Sequence, residues 1–215
     1  MYKTVLKRGT SEFEEKKSIF ISNVSFCETE EEAINFIEEI KTEYAQATHN
    51  CYAYIIGENM GVQRYSDDGE PQGSAGLPIL NVLKRENAVN TCIVVTRYFG
   101  GVLLGKGGLY RAYGKGGSLG LEAGVVVEMT DYEKLSLSYD YTYHGAVNYF
   151  LNTNNIHILE ENFTDKVMLK LYVKSDDFEK FYEEIQNLTS ANNEIIEKSQ
   201  VLLPTKDGEI MGGIK

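Results

Sequence analysis

Half of the glycines in this chain lie in one short stretch, and that concentration limits the possible folds more than any other feature. Ten of the 25 residues from 100 to 124 are glycine, out of 20 in the whole sequence. Gly114, Gly117 and Gly120 recur every three residues. This predicts a helix over about 107–121 with a stripe along one side that has no side chains. Because each glycine costs a helix about 1 kcal/mol relative to alanine, we interpret the stripe as a device for close packing against a sheet.

A second group of glycines lies between a predicted strand and that helix. The run TCIVVTRYF is almost continuously apolar, which predicts a strand buried on both faces. Gly100 and Gly101 follow it and permit a sharp turn with positive φ. Backbone N–H groups at a helix start bind anions, and the residues expected there are Gly105, Lys106, Gly107 and Gly108. The spacing fits neither a Walker A loop nor a dinucleotide fingerprint, and anion binding and packing both remain open.

The same region is locally basic in an acidic protein. The chain has 32 acidic and 21 basic residues and a net charge of −11, yet no acid lies between 97 and 117. Cations and aromatic rings alternate here: Arg97, Tyr98, Phe99, Lys106, Tyr110, Arg111, Tyr113 and Lys115. Stacking rings beside cations are the means by which proteins hold single-stranded nucleic acid. The alternative is that some of these rings belong to the core.

An acidic loop, YSDDGEPQGSAGLP, precedes this region. Asp67, Asp68 and Glu70 supply carboxylate oxygens, which are the ligands that hard cations prefer. However, Asp-Gly is an ordinary turn sequence, and the EF-hand spacing is missing. We therefore predict a structural turn and no metal. Ser74, which follows Gly73, is the expected N-cap of the next helix. We also expect Asp67 or Glu70 to pair with Arg97, so that the two loops meet and form one site.

The remaining chemistry-bearing residues are sparse. His49 and Cys51 suggest a Cys–His pair, although an ordinary strand histidine is the commoner case. Three widely spaced cysteines with apolar neighbours indicate buried, reduced thiols and hence a cytoplasmic protein. No run of 18 apolar residues and no apolar signal-peptide segment is present, so we expect no membrane association. The pattern predicts no cofactor and leaves the oligomeric state open.

The chain divides by composition near residue 129. Residues 131–215 hold 8 basic and 15 acidic residues, and their hydrophobic periodicity predicts the order βαββαβ, the ferredoxin-like arrangement. We expect an α+β protein with one domain over 1–128, a ferredoxin-like domain over 129–205 and a flexible tail over 206–215.

The motifs YSDDGEPQGSAGLP and VVTRYFGGVLLGKGGLYRAYG together resemble the signature of the YigZ/YvyE/IMPACT family. The resemblance covers essentially the whole chain and is to the bacterial two-domain members. It implies an N-terminal domain resembling the second-domain fold of a small-subunit ribosomal protein and domain IV of elongation factor G. It implies a C-terminal domain similar to domain V of the same factor.

The family resemblance also implies a role. Its eukaryotic members look like translational regulators that restrain the general-control kinase pathway by competing for its activator. They carry an extra N-terminal domain, and because this sequence starts almost directly at the signature domain, we do not expect that partner here. No enzymatic role comes with the signature surface, which maps onto Asp67, Asp68, Gly69, Glu70, Gly73, Arg97, Tyr98, Gly100, Gly101, Gly105, Gly107, Gly108 and Tyr113.

Three functions fit these observations. The first is a translation-linked binding protein that contacts structured RNA or the ribosome through 97–115. The second is an enzyme or binding protein for a small phosphorylated or nucleotide ligand at the glycine loops, with Mg²⁺ at Asp67 and Asp68. The third is an adaptor for another protein, such as a translation-related one, suggested by the acidic second part. Because no nucleophile–base pair is evident, the enzyme is disfavoured.

Overall fold

The computed structural model describes residues 2–214, which form two compact units. The N-terminal unit contains residues 2–128 together with 212–214, and the C-terminal unit contains residues 129–211. Each unit has its own β-sheet, and the described residues form five α-helices. The predicted α+β class is confirmed.

The N-terminal unit is a five-stranded antiparallel sheet with helices on both faces. The strand order is β2-β3-β6-β4-β5. The elements in chain order are β1 (Tyr2–Val5), β2 (Gly9–Glu15), β3 (Ser18–Phe26), α1 (Glu30–Glu43), β4 (His49–Ile56), β5 (Val62–Ser66), α2 (Gly76–Glu86), β6 (Thr91–Tyr98) and α3 (Gly105–Gly124).

The centre of this sheet is β6, which lies between β3 and β4 and is buried from Thr91 to Arg97. This confirms the prediction from its continuous apolar run. Helix α1 covers one face with Ala33, Phe36, Ile37 and Ile40, which recur at helical spacing. Thr29 caps this helix, since its hydroxyl accepts a hydrogen bond from the Glu32 backbone N–H at 3.2 Å.

Helices α2 and α3 cover the other face, and the glycines of α3 let them approach closely. A Cβ atom on Gly117 would lie 3.4 Å from Val82 Cβ of α2, and one on Gly116 would lie 3.0 Å from Val95 Cγ1 of β6. Such distances leave little room for larger side chains. Gly117 and Gly120 of the predicted stripe therefore pack closely, whereas Gly114 has room for a Cβ atom. Helix α3 extends about two to three residues beyond the predicted helix at each end.

The C-terminal unit is a ferredoxin-like sheet. Its strands pair in the order β10-β7-β9-β8, and two helices bury their apolar faces against them. The predicted βαββαβ order is therefore confirmed. The elements are β7 (Val126–Tyr139), α4 (His144–Thr153), β8 (His157–Phe163), β9 (Val167–Lys174), α5 (Phe178–Leu188), β10 (Asn193–Lys206) and β11 (Glu209–Ile210).

Part of the expected flexible tail is ordered structure. Strand β10 extends to Lys206, and β11 pairs with it through Thr205 opposite Ile210. The turn between them is Asp207-Gly208, with φ of 53° and 87°. These are the angles of a type I′ hairpin turn, which needs positive φ at both positions and favours Asp-Gly. So few apolar residues surround this turn that the sequence pattern does not predict it.

Two further expectations concern the cysteines and membrane-spanning helices. Cys27, Cys51 and Cys92 are all buried free thiols, as predicted. Within residues 2–214, no helix combines the length and the apolar character that crossing a membrane requires.

We expect Gly116→Leu to destabilise the N-terminal unit by about 1–3 kcal/mol, because the larger side chain would overpack the contact with Val95. Gly114→Ala is the matched control. A Cβ there would lie 3.9 Å from Pro78 Cβ, so the helix should gain up to about 1 kcal/mol. Urea unfolding monitored by circular dichroism measures both, and equal effects of the two substitutions would contradict the packing interpretation.

Candidate anion-binding surface above a buried ion pair

The acidic loop (67–74) and the end of β6, which leads into the glycine loop (99–105), meet through a buried ion pair. Arg97 Nη1 at the end of β6 donates to Glu70 Oε1 at 2.7 Å, and both side chains are almost fully buried. The Tyr113 hydroxyl of α3 donates to the same oxygen at 2.8 Å. The predicted pairing of an acidic-loop carboxylate with Arg97 is therefore confirmed, with Glu70 as the partner.

The surroundings of Arg97 hold its guanidinium in place. Nη2 donates to Ser18 Oγ at 3.2 Å, and Cζ lies 5.6 Å from the Phe20 ring centroid and 5.3 Å from that of Phe99. Removing one partner of a buried ion pair leaves an uncompensated charge in the protein interior. Through Glu70, the acidic loop is therefore joined to the end of β6 and, by the bond from Tyr113, to α3.

His49 and Cys51 lie beside this pair but form no catalytic dyad. His49 Nδ1 is 2.7 Å from the Asp68 carbonyl oxygen, and the Cys51 thiol donates to the Asp67 carbonyl at 3.0 Å. Burial, with the nearby Glu70 carboxylate, raises the pKa of Cys51 well above its ordinary value. The thiol is therefore protonated at neutral pH, and the thiolate needed for nucleophilic chemistry is not formed.

Asp67 organises the acidic loop and caps α2. Its carboxylate accepts hydrogen bonds from three backbone N–H groups: those of Gly73 at 2.7 Å, Ala75 at 3.0 Å and Gly76 at 2.9 Å. The prediction that Ser74 is the helix cap was wrong. Ser74 Oγ is buried without a hydrogen-bond partner, because Asp67 reaches the same amides from the preceding strand.

Asp68 has a different backbone partner. Its Oδ2 atom accepts from the Asn50 backbone N–H of β4 at 2.6 Å. Asp68 and Gly69 have φ of 43° and 85°, so they form the tight turn that the Asp-Gly sequence predicts. The three acidic-loop carboxylates therefore point to different partners. In residues 2–214, no three His, Cys, Asp or Glu side chains are grouped as metal ligands would be.

The glycine loop combines one packed glycine with two open ones. A Cβ atom on Gly100 would overlap the Lys17 backbone carbonyl, so only glycine fits there. Gly101 and Gly105 have φ of 80° and 71° and open surroundings. The loop between them exposes Leu103, whose side chain is 82% accessible.

The first turn of α3 has no capping side chain. Leu104 is at the N-cap position, and the turn contains Lys106 but no acid. Arg111 Nη1 lies 3.7 Å from the position that a Cβ on Gly107 would take, so the guanidinium reaches back towards this helix start. Free N–H groups beside two cations form an electropositive surface that suits an anion. Gly108 packs instead against Leu104.

The structure divides the predicted binding residues into two groups. Arg97 and Tyr113 are 5% and 0% exposed, so neither presents its side chain to a ligand in this conformation. Tyr98 is half-buried. Lys106, Arg111 and Lys115 are exposed, and Lys115 Nζ lies 4.4 Å from the Phe13 ring centroid. The predicted binding segment therefore contains both buried side chains, Arg97 and Tyr113, and side chains that solvent reaches.

Sequence reasoning missed the contribution of α2. Arg85 Nη2 donates to Ser118 Oγ of α3 at 3.3 Å, and Asn81 Nδ2 donates to the Tyr110 hydroxyl at 3.0 Å. Lys84 is also exposed on α2. These cations lie outside the basic segment in sequence, and only the packing of α2 on α3 brings them to the same surface. We call the surface formed by Asn81, Lys84, Arg85, Lys106, Tyr110, Arg111 and Lys115 the α2–α3 surface.

Fold and site define a two-domain α+β protein whose N-terminal signature loops are joined by a buried ion pair. Residues 16–121 match the family model described as the Impact N-terminal domain, and residues 137–192 match a domain of unknown function, DUF1949. The chain belongs to the IMPACT family.

Relatives and a solved structure agree with this assignment. The chain is 43% identical over 196 residues to the IMPACT family member YvyE of Bacillus subtilis (strain 168), covering 91% of this chain and 90% of that protein. It is 33% identical over 158 residues to YigZ of Escherichia coli (strain K12), covering 73% and 78%. A solved structure described as that of an hypothetical protein has a TM-score of 0.56 at 27% identity, covering 96% and 98%.

We expect Glu70→Gln to lower the free energy of unfolding by about 3–5 kcal/mol, because it leaves the Arg97 charge buried without a counter-charge. Glu86→Gln is the control, since it breaks a largely exposed pair with Arg85 and should cost about 1 kcal/mol or less. Chemical denaturation of both variants tests this, and similar losses would show that the buried pair does not organise the loops.

A second pair of variants tests which side chain caps α2. Asp67→Ala should cost about 2 kcal/mol or more, because three backbone donors lose their acceptor. Ser74→Ala should change stability by less than about 1 kcal/mol, since its hydroxyl has no partner. Thermal unfolding compares them, and a larger loss for Ser74→Ala would restore the serine as the cap.

Proposed function

We propose that this protein is a translation-linked regulatory protein that binds structured RNA, such as ribosomal RNA, through the α2–α3 surface. The observation that carries the proposal is the set of exposed cations on two packed helices of a chain with a net charge of −11. An acidic protein repels nucleic acid in general. A local basic surface on such a protein therefore favours one defined contact over indiscriminate binding.

The cations on this surface are available to phosphates. Among the described residues, Lys84, Lys106 and Arg111 form no ion pair with a carboxylate, whereas Arg85 is paired with Glu86 at 2.9 Å. Helix α3 has no acid before Glu122. Lysine and arginine contacts to phosphates supply most of the affinity of sequence-independent nucleic-acid binding.

Exposed rings next to these cations add a second kind of contact. Tyr110 is 42% exposed between the basic positions of α3, and Phe99 is 45% exposed at the start of the glycine loop. Aromatic faces stack on unpaired bases without strong sequence preference. Both features suit RNA that combines a charged backbone with loops or bulges.

Arg97 and Tyr113 support this surface from below. Their bonds to Glu70 join the acidic loop to β6 and α3, and so position the start of α3. The position of the exposed basic surface thus depends on Arg97, whose own charge is neutralised by Glu70 inside the protein. This explains why carboxylates lie so close in sequence to a segment proposed to bind phosphates.

The family supports a link to translation through its eukaryotic members. The chain is 40% identical over 96 residues to the "Protein IMPACT homolog" of Dictyostelium discoideum and 33% identical over 106 residues to "Protein IMPACT-B" of Xenopus tropicalis. These matches cover 42% and 47% of this chain. The family resemblance implies translational regulation for those proteins, and we extend that role to this one.

The proposal predicts weak, salt-dependent RNA binding that charge reversal on α3 weakens. If Lys106, Arg111 and Lys115 each neutralise one phosphate, the slope of log K against log salt concentration should be about −2 to −3. Lys106→Glu with Arg111→Glu should reduce the affinity for every structured RNA tested. Fluorescence anisotropy with a labelled stem-loop, across a salt series, measures both quantities.

The matched control is Lys166→Glu with Lys180→Glu, which makes the same charge change at exposed positions of the C-terminal unit. This variant should retain most of the affinity. Equal losses in both double variants would attribute binding to net charge alone. Saturable binding of a small phosphorylated ligand, in the absence of any RNA binding, would favour the ligand-binding alternative.

A further inference from the structure

The C-terminal unit contains a pocket that the proposed RNA contact does not use. Its volume is about 930 Å³, and it is lined by the middle of β7, the end of α4 with the start of β8, the end of β9 and the β10–β11 hairpin. Every residue that lines it belongs to residues 129–211. We propose that this pocket binds a linear aliphatic polyamine, in which ammonium groups are separated by methylene chains.

Three aromatic rings form one part of the wall. His157 and Tyr172 are directly opposite each other in the β8–β9 pairing, and their rings are nearly parallel at 6.0 Å. The Tyr132 ring is 6.3 Å from that of Tyr172 at an angle of 68°. Ring faces in two orientations attract a cation placed within about 6 Å of a centroid. The methylene stems of such a ligand pack well on the same surfaces.

The Tyr132 hydroxyl is a polar group without a protein partner in this pocket. Tyr132 is 4% exposed and lines the cavity, yet no described residue forms a hydrogen bond with its hydroxyl. Burial, together with the Asp177 carboxylate, raises the pKa of Tyr132, so the phenol remains protonated. Its oxygen is not one of the fully buried unpartnered side-chain atoms, so it opens to the pocket. A phenol oxygen with free lone pairs accepts a hydrogen bond from an ammonium N–H, so a polyamine in the pocket can bond to it.

The charges of the pocket select a cation. Asp177, Asp207 and Glu209 line it, and none of them forms an ion pair with another described residue. Lys174 is the one lysine or arginine in the lining. With histidine neutral, the lining has a net charge of −2, which disfavours phosphates and nucleotides.

The arrangement also distinguishes an organic polycation from a metal ion. The carboxylates come from different elements, since Asp177 follows β9 whereas Asp207 and Glu209 belong to the β10–β11 hairpin. Separate carboxylates suit separate ammonium groups on one chain. Mg²⁺ keeps most of its water ligands, so it gains little from the aromatic faces.

The test uses spermidine and the full chain, with isothermal titration calorimetry and ¹H–¹⁵N NMR. We expect saturable binding and shifts of backbone amides in the pocket, including those of Tyr172, Lys174 and Gly208. Tyr172→Ala should weaken binding by about three- to thirtyfold, the range for loss of a cation–π contact. Tyr132→Phe, which keeps the ring and removes the hydroxyl, should weaken it by about threefold or more.

Asp177→Asn and Glu183→Gln form the matched comparison. Each removes one negative charge from an exposed position of the same unit, but Glu183 is on α5 and outside the pocket. Asp177→Asn should weaken spermidine binding, and Glu183→Gln should leave it within about twofold. Equal effects of these two substitutions, or full displacement of spermidine by Mg²⁺ at equal total charge, would overturn the proposal.

Two further ligands distinguish other occupants of the same pocket. A lysine-rich peptide presents the same ammonium chemistry from a protein, and adenosine presents a neutral ring. If either one shifts the pocket resonances while spermidine does not, the proposal is wrong. The absence of any saturable shift with spermidine would overturn it as well. None of these results depends on whether the α2–α3 surface binds RNA.

Discussion

The bond between Arg97 and Glu70 is the interaction on which the signature half of the molecule depends. A guanidinium in the protein interior requires a counter-charge, and Glu70 provides it from a loop that precedes Arg97 by 27 positions. Tyr113 adds a third element by donating to the same carboxylate oxygen. One carboxylate therefore determines the relative positions of the acidic loop, the end of β6 and α3.

This arrangement separates two kinds of charge that look alike in the sequence. Arg97 and Lys106 both belong to a basic, glycine-rich segment, but only Lys106 faces solvent. The acidic loop likewise uses its charges within the protein, because the carboxylates of Asp67 and Asp68 accept hydrogen bonds from backbone N–H groups of α2 and β4. A motif that mixes acids, cations and glycines thus largely stabilises the fold, and only a smaller set of its cations is exposed to solvent.

Glycine serves two purposes in the same segment. Gly116 and Gly117 allow α3 to contact β6 and α2, and Gly100 allows the loop to pass the Lys17 carbonyl. Gly101 and Gly105, by contrast, have open surroundings and positive φ. The close approach of α2 to α3 also lets polar side chains of the two helices meet, since Arg85 donates to Ser118 and Asn81 donates to Tyr110.

Hydrophobic periodicity is a local property, and it was enough to predict the α+β class, the βαββαβ order and the buried β6. Charge complementarity was enough to predict that an acidic-loop carboxylate pairs with Arg97. The capping of α2 by Asp67 rather than Ser74, the burial of Tyr113 and the contact of α2 with α3 became visible only in the packed structure. The pocket of the C-terminal unit likewise required the structure, since its lining comes from four separate segments of the chain. Contacts between residues distant in sequence depend on how elements pack, and composition and spacing do not encode them.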